Sequence, residues 1–208
     1  MHILAASRVT NPAADPYEDT RARILAAASQ RFAQFGYNKT TMAEIAQDCD
    51  MSAANLYRFF KNKLDIGANL ARGCLDVKLL LLKEIVEQYH RPAAERLLDM
   101  VMQILHYTHD QWSNDPRMNE MVNAICDARM DIVNNYRSTE HELLVTLLED
   151  GVKRNEFGIA NINDVANAIS TSLTTFNLPM LMPLYPIEYF EERAQSVVGL
   201  LLNGLAKR

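Results

Sequence analysis

Apolar residues recur along this chain at intervals of three and four, the period of one helix face, and the alternation of a half-buried strand is missing. In TRARILAAASQRFAQF, residues 20–35, this places Ile24, Leu25, Ala28, Phe32 and Phe35 on one face, and Gly36 follows as a helix-ending residue. Thr41 then reads as the N-cap of a short helix. Glu44, three residues on, completes a capping box, and Ile45 and Ala46 fall on the inner side. A turn over residues 48–51 leads to Ser52, the cap of a second short helix whose Leu56 and Phe60 face inward.

The stretch NKLDIGANLARGCLDVKLLLLKEIVEQY, from Asn62, reads as one helix of about seven turns. Gly67 and Gly73 each cost it about 1 kcal/mol relative to Ala, for which close packing against the first helix is the expected reason and a hinge in this connecting helix the alternative. Further helices are expected over residues 93–109, over 117–155 with a break near 126–131, over 163–178 and over 187–206. Pro179, Pro183 and Pro186 interrupt the apolar NLPMLMPLYP, so the helix before it should kink or end, leaving an irregular segment. The fold expected is all-α.

A chain of 208 residues, 49% hydrophobic and 23% charged, can bury one large core or two small ones. The charge is unevenly spread. Residues 1–63 hold 8 Lys and Arg against 6 Asp and Glu, whereas residues 64–208 hold 13 against 20. A positive surplus at one end of an acidic chain points to a polyanion there. No apolar run has the length of a membrane span, and the first residues lack the apolar core of a signal peptide, so a cytoplasmic location and no membrane partner are expected. Cys49, Cys74 and Cys126 show no CxxC spacing, and reduced thiols are expected.

Two short capped helices joined by a tight turn form a helix-turn-helix. Its second helix must be slim and able to hydrogen-bond at its first turn, with cations at its flanks. Ala53, Ala54 and Asn55 meet the first need: Asn55 can pair with an adenine and an Ala methyl can touch a thymine methyl. Tyr57, Arg58, Lys61 and Lys63 suit the phosphates on either side.

On FAQFGYNKTTMAEIA and SAANLYRFFKNK, residues 20–66 resemble the DNA-binding region of TetR/AcrR-type transcriptional repressors. Asp50 departs from that pattern, standing in the turn where the family usually has Gly, and Phe59 stands where His or Tyr is frequent. The resemblance implies a leader over residues 1–16, a three-helix DNA-binding domain over 17–62, and a larger helical ligand-binding and dimerisation domain over 63–208. It further implies a homodimer bound to a palindromic double-stranded DNA operator as a repressor and released by a small-molecule effector, with no enzymatic activity and no cofactor. Thr41, Tyr57 and Lys61 would contact phosphate, and Ala53, Ala54, Asn55 and Arg58 would face the groove, with Ser52 and Lys63 completing the DNA-binding set. The rival reading is a ligand-independent architectural or nucleoid-occlusion factor using the same helix-turn-helix.

Other constellations carry less. His106 and His109, three apart, with Asp110 and the later Glu140, His141 and Glu142, do not by themselves converge as metal ligands. Nothing resembles GxSxG, HExxH or a P-loop. Met and aromatic residues of the second domain, Met100, Tyr107, Trp112, Met121, Phe176, Met180 and Met182, are candidates either for ordinary core or for the lining of an effector pocket. In the last helix the run Val197, Val198, Leu200, Leu201 and Leu202 is too continuous for one buried face, which predicts a dimer seam.

Overall fold

The computed structural model describes residues 15–112 and 117–206, with Trp112 described by its backbone alone. Among them are nine α-helices: α1 Pro16–Phe35, α2 Met42–Asp48, α3 Ala53–Leu56, α4 Lys63–Val86, α5 Ala93–Trp112, α6 Met118–Ala128, α7 Met130–Lys153, α8 Ile162–Leu173 and α9 Ile187–Leu205. Two 3-10 turns, Thr174–Asn177 and Pro179–Leu184, join α8 to α9. An isolated bridge between Phe157 and Ala206 is the one β-type pairing among the described residues. No helix among them is long and apolar enough to cross a membrane.

The chain forms two compact units that interleave in sequence. Of the described residues, the first comprises 15–74 and 117–132, the second 75–112 and 133–206. In the first, Asp15 caps α1 by accepting from the Tyr17 amide, and Pro16 occupies the first turn, where a missing amide costs nothing. Gly36 ends the helix at φ 91°, a left-handed value that favours glycine, and its N–H reaches the Phe32 carbonyl. Ile24, Phe32, Ile45, Leu56 and Phe60, each at most 1% exposed, are the centre of this unit. Gly67 of α4 is closely packed, but its neighbours are Tyr37, Met121 and Ile125, so it admits α6 and the loop after α1 and not α1 itself. Gly73 meets nothing within 4 Å, and packing does not explain it.

In the second unit α4, α5, α7 and α8 bury Leu82, Val86, Leu97, Met100, Leu144, Leu147, Leu148 and Ile169. The break expected near residues 126–131 falls at Arg129, between α6 and α7. The helix expected to run to residue 178 ends at Leu173 and tightens into 3-10 turns. Pro179 opens the second of these and Pro183 lies inside it, so the apolar segment is 3-10 helix and not irregular chain.

Candidate nucleic-acid interface

The geometry of residues 36–63 follows from local hydrogen bonding. Thr41 and Glu44 form a reciprocal capping box: the Thr41 amide donates to Glu44 Oε2 at 2.8 Å and the Glu44 amide to Thr41 Oγ1 at 3.3 Å. The Thr41 hydroxyl donates to the same carboxylate, and these bonds hold Glu44 below its usual carboxylate value. Arg31 ties α1 to α2 through Asp48, whose carboxyl this pairing also lowers, and through Glu44 at 3.4 Å. Asp50 adopts φ 53°, the left-handed conformation that Asp tolerates better than most residues, and so completes the turn without Gly. Ser52 Oγ accepts the Asn55 amide at 3.2 Å and starts α3, which spans only Ala53–Leu56 before continuing as a turn.

Around α3 the structure brings together most of the expected contact residues. Ser52, Ala54, Tyr57, Arg58 and Lys61 are exposed, as is Thr41 at the head of α2, and Ala53 and Asn55 are half-buried. Tyr57 leaves 53% of its surface open. Lys63 is turned inward. Its ammonium donates to the carbonyls of Tyr37 at 2.6 Å, Thr40 at 2.8 Å and Asn38 at 3.3 Å and lies over the Tyr37 ring. Burial lowers its pKa, with Glu120 and Glu44 opposing.

Two supports escaped sequence reasoning. Arg21 donates to the Phe59 carbonyl at 2.7 Å and to Asn69 Oδ1 at 3.0 Å, and its guanidinium covers the Phe60 ring. Phe59 itself stacks on Tyr17, so it has an apolar partner where the family pattern often has a polar residue. Arg117, just before α6, donates to the Gln34 carbonyl at 2.6 Å, and Glu120 of α6 accepts the Asn38 amide at 2.9 Å. Both partners lie more than eighty positions away, beyond any local signal.

The candidate effector residues separate. Met100, Phe176 and Met182 are buried in the second unit and Tyr107 is half-buried there. Met180 is 51% exposed. Met121 is buried in the first unit beside Gly67, so it does not join the others. The Trp112 side chain lies outside the described residues. His106 Nε2 pairs with Glu191 at 2.7 Å, and no three His, Cys, Asp or Glu side chains among the described residues are placed to hold a metal. No disulfide joins Cys49, Cys74 and Cys126.

The sequence profile described as "Bacterial regulatory proteins, tetR family" matches residues 24–67, and that described as "Tetracyclin repressor-like, C-terminal domain" matches residues 93–198. The chain belongs to the TetR family of transcriptional regulators. It is 27% identical over 143 residues to the transcriptional regulator HbdR of Aromatoleum sp. (strain CIB), a match covering 67% of this chain and 54% of that protein. Over 190 residues it is 22% identical to the transcriptional repressor KstR2 of Mycobacterium tuberculosis, covering 90% of this chain and 93% of KstR2. Its fold matches that of a TetR-family regulator from Mesorhizobium loti with TM-score 0.72 at 14% identity, over 93% of this chain and all of that one. The TetR-family regulator PfmR of Thermus thermophilus aligns with TM-score 0.63 at 22% identity, over 90% of this chain and 98% of PfmR. The residues matched to the family's N-terminal model, 24–67, contain the helix-turn-helix of α2 and α3.

Proposed function

We propose that this TetR-family chain is a homodimeric repressor that binds a palindromic operator through α3 and leaves it when a small molecule enters the second unit. The observation that carries the reading is the set of exposed side chains around α3: Ala54 flanked by Tyr57, Arg58 and Lys61, on a helix whose Leu56 is fully buried. Small residues at the first turn admit base edges, and the phenol and cations behind them reach phosphates. Asn55 reads a base, Thr41 steadies the backbone contact at the head of α2, and Lys63 acts through the loop it ties down. A dimer is supported by the outer faces of α8 and α9. Ala168, Thr171 and Ser172 are exposed on α8, as are Ser196, Leu200 and Asn203 on α9. Small residues let helices approach closely, and Leu200, 73% exposed, is the apolar residue such a seam would cover.

Selection of bound sequences from a random DNA pool by the full chain tests the reading. An inverted repeat with half-sites about one helical turn apart is the expected result. Recovery of no common sequence, or of a single unrepeated half-site, would reject a dimeric operator-specific repressor.

A further inference from the structure

The core of the second unit contains a strongly polar knot around Lys78, distinct from the buried Arg96 with its Val86 carbonyl and Asp150 partners. Lys78 of α4 is 4% exposed, and its ammonium donates to Thr108 Oγ1 of α5 at 2.9 Å and to Asn177 Oδ1 at 2.7 Å. The rings of Tyr107 and Tyr136 each lie 5.6 Å from it. Asn177 relays the contact to α7: its Nδ2 donates to Glu140 Oε1 at 3.2 Å and to the Tyr136 hydroxyl at 3.3 Å, while that hydroxyl donates to Glu140 at 2.8 Å. Leu105, Phe176 and Met182, none more than 5% exposed, belong to the same part of the unit.

Burying an ammonium is expensive, and apolar side chains of similar volume generally hold a core as well or better. A helical domain that keeps one there has a use for it. We propose that Lys78 is the anchor for an effector carrying a carboxylate on an apolar body, and that the carboxylate takes the place of the Asn177 side-chain carbonyl. A charge-assisted bond is about twice as strong as the neutral one it replaces, so the exchange favours the ligand. Asn177 is the partner able to yield. It sits in a 3-10 turn, where hydrogen bonds are poorer, directly before Leu178 and the donorless Pro179, whereas Thr108 is fixed in α5 by its own bond to the Ile104 carbonyl at 2.7 Å. Glu140 is less suited to anchor a cationic effector, because its Oε1 already accepts from both Tyr136 and Asn177 and Lys78 stands on the other side of that amide. Burial raises the Glu140 carboxyl from its ordinary value, while the Tyr136 hydrogen bond and the Lys78 charge oppose the shift.

This assignment rests on the effector-released reading above, and its test separates the two. Thermal unfolding and calorimetric titration of the full chain would use octanoate, benzoate, phenylacetate and cyclohexanecarboxylate, each paired with its primary amide, which keeps the shape and removes the charge. At least one carboxylate should raise the midpoint and bind about tenfold or more tightly than its amide. In Lys78→Met that preference should vanish. The double variant Lys78→Met/Glu140→Gln, which leaves no unpaired buried charge, should fold and also show no preference. A purely structural role for Lys78 would alter the midpoint of the ligand-free protein but not the ratio of acid to amide. Equal binding of acids and amides, binding by none of the acids, or a preference that survives in the double variant overturns the anchor. Operator release is read separately: amides that release operator where acids do not leave the repressor reading standing and remove the anchor. Acids that bind through Lys78 without releasing operator do the reverse.

Discussion

Asn55 and Lys61 lie six positions apart, yet the proposed reading gives them different work on DNA. A base-reading amide discriminates by about 1 to 3 kcal/mol per good bidentate pair, so Asn55→Ala should flatten preference at one base pair of each half-site while binding elsewhere persists. Lys61→Ala should weaken all sequences alike and lower the salt slope by about one unit, as loss of one phosphate contact does. Binding isotherms on single-base operator variants at several salt concentrations check both. Lys63→Met provides the contrast. Three carbonyl acceptors lose their ammonium, which should cost about 1 to 3 kcal/mol in urea unfolding, with an unchanged salt slope for whatever DNA binding remains. A slope that falls by one unit would make Lys63 a phosphate ligand after all. The caps of Thr41 and Ser52 and the inward Leu56 and Phe60 were legible in the sequence because their partners are one helical turn away. Lys63 and Lys78 were not, since their carbonyl and amide partners lie 26 and 99 positions off, and a cation has no periodicity that reveals which way it points.

The elements were legible wherever an apolar face repeats over several turns, and less so where the helix type changes within one apolar stretch. Residues 174–184 keep helical spacing while prolines remove donors, and the tighter 3-10 winding is the compromise between the two. Contact across elements was invisible. Gly151 of α7 illustrates this. Replacing a helix-interior Gly by Ala is ordinarily favourable by about 1 kcal/mol. Here an added Cβ would run into the Phe157 ring and come within 3.0 Å of the Ala93 Cβ. Overpacking of this kind costs about 1 to 3 kcal/mol, so Gly151→Ala should be destabilising, and the midpoint of chemical unfolding decides the sign.

At the scale of the whole molecule, two copies are needed to read both halves of a palindrome. Leu200→Lys places a charge on a residue already 73% exposed, so it should leave the fold of one chain intact and turn micromolar protein into monomer by sedimentation, with operator affinity falling in parallel. A dimer that survives the charge would move the seam away from α9. The DNA-binding unit has its own long-range requirement, because Arg117, Glu120, Met121 and Ile125 of residues 117–132 complete a structure otherwise made of residues 15–74. Swapping reading heads between regulators by a single crossover near residue 74 would therefore graft a head without the helix that covers Gly67. Such a chimera should lose operator binding or melt early, and carrying residues 117–132 across with the head should restore both. The modular exchange of specificity, in evolution as at the bench, would then need two matched cuts in the gene and not one.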